Sequence, residues 1–90
     1  MQWDEFDATG LFELIRERGP EEDAERTIRA FRHVLYAARS DPALVEHILV
    51  AAVSLVALDE GETPRTILDR MFRRSVSDEE WRRDYAPLFR

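Results

Sequence analysis

Helix punctuation constrains this chain more than any other feature. Three of its prolines stand directly behind a residue suited to end or cap a helix, as Gly19-Pro20, Asp41-Pro42 and Thr63-Pro64. Proline suits the first helical position because the N–H it lacks has no intrahelical partner there. Ser77 and Glu80 add a capping-box spacing, with Val76 and Trp81 placed as a hydrophobic staple. No stretch alternates apolar and polar residues between turn signals, so no strand is predicted. The expected fold is all-α, a compact bundle of four to five short helices forming a single domain over residues 1–90.

The first helix is expected from about Gly10 to Arg18, capped by Asp7 or Thr9, with Leu11, Phe12, Leu14 and Ile15 on one side. Trp3 and Phe6 precede it, either packing back on the bundle or extending the helix. Gly19 is read as its left-handed stop, and each of Gly10, Gly19 and Gly61 has a helix-boundary explanation. The second helix opens at Pro20, with Glu21, Glu22 and Asp23 against the positive end of its dipole. Its apolar stripe is Ala24, Ile28, Phe31, Val34, Leu35 and Ala38, its opposite face carries Arg26, Arg29 and His33, and its end is expected near Arg39 or Ser40.

The third helix, about 42–60, is the most apolar. Between Ile48 and Leu58 only Ser54 is polar, so the helix is expected to be buried on most sides at the bundle's centre. The run is shorter than the roughly 20 residues of a bilayer span, and Glu46 and His47 interrupt its start, so no membrane association is expected. Ala51 and Ser54 make a small-residue strip that allows close approach of another helix. Any face the neighbours leave uncovered would need a second subunit. Thr63-Pro64 opens a fourth helix with Ile67, Leu68, Met71 and Phe72 inward. A fifth starts at Ser77 and should stop near Tyr85 or Ala86, ahead of Pro87.

Composition removes several functions. There is no cysteine, which excludes a disulfide framework, a thiolate zinc site and a Cys–His nucleophile. His33 and His47 lie on different helices without a partner at i+4, so the usual helical metal spacing is missing. No serine has a nucleophile-elbow context and the glycines form no phosphate loop. The chain is therefore expected to be no enzyme and to take no cofactor or metal. The N-terminus lacks a basic start followed by an apolar core, which predicts a cytoplasmic protein.

The net charge of −6 is assembled from alternating blocks. Residues 1–25 hold nine acids and two arginines, and residues 26–40 hold four arginines and no acid. Residues 41–63 hold five acids and no base, and residues 64–74 four arginines and one acid. All thirteen basic residues are arginine, which forms forked pairs with carboxylates. Glu22–Arg26, Glu25–Arg29, Asp69–Arg73 and Glu79–Arg83 have the favourable acid-first i,i+4 order.

The stretch Ala57-Leu58-Asp59-Glu60-Gly61-Glu62-Thr63-Pro64-Arg65-Thr66-Ile67 resembles the helix-turn-helix pattern of DNA-binding regulators. It has the Ala, the Gly four residues later, and Thr-Ile opening a would-be recognition helix. Glu62 stands where that pattern has an apolar residue. The resemblance implies Arg65, Arg70 and Arg73 turned towards DNA. The function expected first is different: a non-enzymatic protein–protein interaction module, self-associating as a homodimer. It would be a regulator, adaptor, or immunity- or antitoxin-type factor. Its expected partner-binding residues are Arg65, Arg70, Arg73, Arg74, Arg29 and His33. A DNA-binding regulator using residues 57–74 is the alternative. Two further readings are an acidic decoy through residues 1–25 and a small apolar ligand in the bundle core.

Overall fold

A computed structural model describes residues 5–89, with side chains from residue 9 onward; Trp3 and the side chain of Phe6 lie outside the described residues. The helices are α1 (Glu5–Arg18), α2 (Glu21–Ala37), α3 (Pro42–Glu60), α4 (Pro64–Phe72) and a short α5 (Asp78–Glu80). The chain then widens into a π turn over Trp81–Tyr85 and tightens into a 3₁₀ turn over Ala86–Phe89. No strand occurs among the described residues, and the chain is an all-α bundle.

Most helix boundaries follow the local chemistry. Asp41 accepts from the Leu44 N–H at 3.2 Å, Thr63 from Thr66 at 3.2 Å and Ser77 from Glu80 at 3.1 Å. Each satisfies a donor that the first helical turn leaves orphaned. Gly61 ends α3 with φ 68°, in the left-handed region, and the Glu62 N–H returns to the Ala57 carbonyl at 2.9 Å.

Other boundaries correct the sequence reading. α1 is already helical at Glu5, so Gly10 is interior rather than a boundary and Thr9 is no cap. Gly10 is instead a crossing point: a Cβ there would lie 2.5 Å from the Met71 carbonyl oxygen of α4. Gly19 is not left-handed, and the residue that takes that role unannounced is Arg73, with φ 55° after α4. Pro20 is the N-cap of α2 rather than its first helical residue, and α2 ends at Ala37, short of Arg39. The helix ahead of Pro87 does not simply stop. Regular α geometry fails there because proline has no N–H and its ring clashes with the carbonyl four residues back. The chain changes helical pitch twice and continues to Phe89.

The core runs through α1, α3 and α4. Leu11, Leu49, Val53, Ile67 and Leu68 are almost wholly buried, joined by Leu14, Val56, Met71, Val76 and Tyr85. The closest helix pairs are α1–α4, α1–α2 and α3–α4, and the last turn packs on α3. Tyr85 meets Phe72 at 5.8 Å, and Trp81 stacks between Tyr85 and Phe89 at 6.5 and 5.9 Å. α2 is attached through Ile28 and Ala24 and through an edge-on contact of Phe31 with Phe12 at 5.8 Å.

The largest correction concerns α3. It was expected to be buried on most sides and is buried on one. Leu49, Ala52, Val53, Val56 and Ala57 face inward, while Leu55 is 66% and Leu58 79% exposed. As a helix of 19 residues it is also long and apolar enough to cross a membrane by length and composition, which the sequence reading denied. Its inward face is the floor of the core described above.

Candidate functional site

The arginines read as partner-binding on α4 are engaged within the chain. Arg65 donates to the Val76 carbonyl at 2.8 Å and pairs with Asp78 at 2.7 Å. Arg70 reaches Glu60 at 2.6 Å and Glu62 at 3.7 Å. Arg73 pairs with Glu13 of α1. Arg74 forks onto both carboxylate oxygens of Glu80 at 2.7 and 3.1 Å, with its guanidinium 5.5 Å from the Phe72 ring centre.

These contacts change the expected pattern of pairs. Glu25 is held by Arg16 at 2.7 Å rather than by Arg29. Asp69 accepts from the Val76 N–H at 2.7 Å rather than pairing with Arg73. Glu80 completes only half of the capping box, because its carboxylate is taken by Arg74. Glu22–Arg26 and Glu79–Arg83 do form, both at 3.9 Å. The other two pairs give way to tertiary contacts: packing brings Arg16 of α1 to Glu25, and Glu13 of α1 to Arg73 while Asp69 accepts from the Val76 N–H. Glu60 illustrates this. It receives Arg18 of α1 at 3.2 Å and Arg70 of α4, tying three helices at one carboxylate that is 22% exposed.

The electrostatics follow the pairs. The hydrogen bond from Arg74 holds the Glu80 carboxyl below its ordinary range, and Glu80 in turn raises Arg74. Arg16 does the same to Glu25, Arg65 to Asp78 and Arg83 to Asp84. Arg29 and His33 are different. Both are exposed on the outer face of α2, and neither makes a hydrogen bond or ion pair among the described residues. They stand on α2, which is not among the helices packed closely against α4.

What the structure does bring together is apolar. Although consecutive, α2 and α3 are not among the closely packed pairs, and between them lies a groove of about 750 Å³. Ile15 and Phe31 line it together with Ala24, Thr27 and Val34 of α2 and Ile48, Ala51, Ala52, Leu55 and Val56 of α3. Arg18, Asp23 and Asp59 line it too, Arg18 and Asp59 being paired with each other. Alongside, Leu44, Leu55, Leu58 and Val34 are 46, 66, 79 and 49% exposed. Ser54 contributes no free polar group, since its hydroxyl donates to the Val50 carbonyl at 2.9 Å.

Sequence reasoning missed this stripe, although a signal was present. Leu44, Ile48, Ala51, Leu55 and Leu58 recur at intervals of four, three, four and three. That spacing puts them on one face of α3. A helix apolar all round hides which face is core, so the spacing alone did not single the stripe out. Among the described residues no cluster of His, Cys, Asp or Glu is arranged to hold a metal ion. Comparison with protein-family models, with curated proteins and with solved structures finds no match to this chain.

Proposed function

We propose that this protein is a non-enzymatic protein–protein interaction module that works through the apolar groove between α2 and α3 and the adjoining exposed face of α3. The observation that supports this is the row of leucines left in water on the most apolar helix of the chain. Contiguous exposed apolar surface of this kind marks association sites. Covering what remains exposed of Leu44, Leu55, Leu58 and Val34 would return about 4–7 kcal/mol, at about 1.5–3 kcal/mol per fully buried side chain. Association itself costs about 4–15 kcal/mol in lost freedom. The stripe thus suits a reversible partner whose own apolar surface is buried at the same time. Arg29 and His33 offer a second, basic face for an acidic partner.

Recognition of DNA by α4 draws less support. Arg65, Arg70, Arg73 and Arg74 would each have to leave a carboxylate to reach a phosphate or a base. The test is site-specific photo-crosslinking in cells of the source organism, with a benzophenone amino acid at position 55, 33 or 79. A discrete polypeptide adduct from position 55, absent from the exposed control at Glu79, is the expected result. An adduct from position 33 alone moves the interface to the outer face of α2. No adduct from either position refutes the reading.

A further inference from the structure

We infer that the outer face of α2 docks a short acidic segment of a partner protein; this rests on the interaction reading above and concerns a surface apart from the groove. Residues 26–40 hold four arginines and His33 but no acid, in a chain of 19 acids. Arg26, Arg29, His33 and Tyr36 recur at intervals of three, four and three, which aligns them on one side of α2. All four are exposed, Tyr36 by 68%. None of them lines the groove. Arg39 extends the row from just beyond the helix. Its guanidinium stands 4.0 Å from the Tyr36 ring centre and donates to the Tyr36 carbonyl at 2.8 Å.

These cations stand outside the internal pairing. The arginines of α1 and of residues 64–74 each hold a carboxylate at close range. Among the described residues, no arginine of 26–40 approaches one closer than 3.9 Å, the distance from Arg26 to Glu22. Arg32 lies over the Phe12 ring at 5.1 Å. Glu25, one turn before Arg29, is taken by Arg16 at 2.7 Å. Arg29 and His33 thus keep their side-chain donors in water, and Arg39 has committed part of its fork to a carbonyl. A guanidinium matches a carboxylate with two parallel donors. Tyrosine and arginine together are also the side chains that most often anchor protein interfaces.

The ends of the row set the size of the ligand. Glu21, Glu22 and Asp23 precede it, the last two with side chains 88 and 68% exposed, and exposed Asp41 follows it. Between them, Arg26 to Tyr36 spans about 15 Å of helix at 1.5 Å per residue. An extended segment covers that length with about five residues. Duplex DNA and an anionic bilayer continue past both ends, where carboxylates repel their phosphates. The net charge of −6 adds to that repulsion. A short run of Asp or Glu ends before it meets them. Exposed ion pairs are individually weak and screened by salt, so the row alone gives dissociation in the millimolar range. For a partner already seated in the groove it is a second contact that multiplies affinity.

The test is a titration of capped penta-glutamate into the full, isotope-labelled chain at low salt, read by amide chemical shifts. Shifts should concentrate at residues 26–39, saturate in the millimolar range and fade as salt rises past about 0.5 M. Arg29→Glu, with an unchanged circular dichroism spectrum, should weaken binding about fivefold or more, from one lost pair and the repulsion that replaces it. Arg82→Glu makes the same change of net charge on an exposed arginine outside the row and should weaken it by less than about twofold. Equal losses in the two variants overturn the row as the site, as do shifts that fall outside residues 26–39. Tighter binding of a short DNA duplex or of phosphatidylglycerol vesicles, at equal charge concentration, overturns the choice of a protein segment. If penta-glutamate does not bind while position 55 crosslinks to a polypeptide, the interaction reading stands and the acidic segment is refuted. If it does not bind and neither position 55 nor position 33 gives an adduct, both fall.

Discussion

Replacing Gly10 by alanine sets two effects of opposite sign against each other. Gly10 is inside α1, where alanine is intrinsically better by about 1 kcal/mol. The added methyl, however, would lie 2.5 Å from the Met71 carbonyl oxygen and 3.1 Å from its carbonyl carbon. These are backbone atoms of a neighbouring helix, and no rotamer change can move them. Ordinary contact begins near 3.4 Å, so α1 and α4 must separate by about 0.9 Å at their crossing. Leu11 and Leu14 belong to the same buried cluster as Ile67, Leu68 and Met71 and would be loosened with them. Overpacking of this kind costs about 1–3 kcal/mol, which exceeds the helical gain. The expected net loss is about 1 kcal/mol, with up to 2 at the upper end, or a fall in melting temperature of roughly 4–15 °C for a domain of this size.

The other two glycines calibrate this result. A Cβ at Gly19 meets nothing within 4 Å and no left-handed backbone is required there. Gly19→Ala should therefore be neutral or stabilise by about 0.4–1 kcal/mol through the unfolded chain. Gly61→Ala also meets open space but must adopt φ 68°, which costs about 1–2 kcal/mol. Thermal and urea unfolding followed by circular dichroism would rank the three variants. If Gly10→Ala melts at or above Gly19→Ala, the close crossing of α1 and α4 is wrong.

Other substitutions test the remaining features. On α3, Leu49→Ala should cost about 2–5 kcal/mol in urea unfolding, because Leu49 is 2% exposed. Leu58→Ala, on a residue 79% exposed, should stay within about 0.5 kcal/mol of wild type. Ser77→Ala removes the acceptor for the Glu80 N–H and should lower stability by about 0.5–2 kcal/mol. Glu25, Glu80, Asp78 and Asp84 all have carboxyl pKa values lowered in the folded chain, by Arg16, Arg74, Arg65 and Arg83 respectively. Groups lowered on folding stabilise above their ordinary values of 4.5 for Glu and 3.8 for Asp, and that stability is lost as pH falls through the folded values. The melting temperature should thus be level from about pH 7 to 5 and fall below about pH 4. Glu80→Gln should melt lower at neutral pH and show a shallower acid decline. An acid decline unchanged in Glu80→Gln would remove the Arg74–Glu80 fork from the account.

Much of the fold can be read locally. The caps at Asp41, Thr63 and Ser77 and the left-handed stop at Gly61 act within a few residues, so sequence order already contains both partners of each contact. The helical class and the inward faces of α1 and α4 follow from the same short-range rules. Only the tertiary structure decided the rest, because it depends on groups distant in the chain. Gly10 looks like a boundary until Met71, on another helix, is placed against it. The arginines of α4 look free until packing supplies Glu13, Glu60 and Glu80. Along α3 an apolar residue is available at nearly every angle, so no periodicity can name the side that neighbours will cover. α1 and α4 took one side, α2 stayed apart, and Leu55 and Leu58 were left in water. The sequence alone determined that α3 would be apolar all round; its neighbours' positions determined which face stays in water.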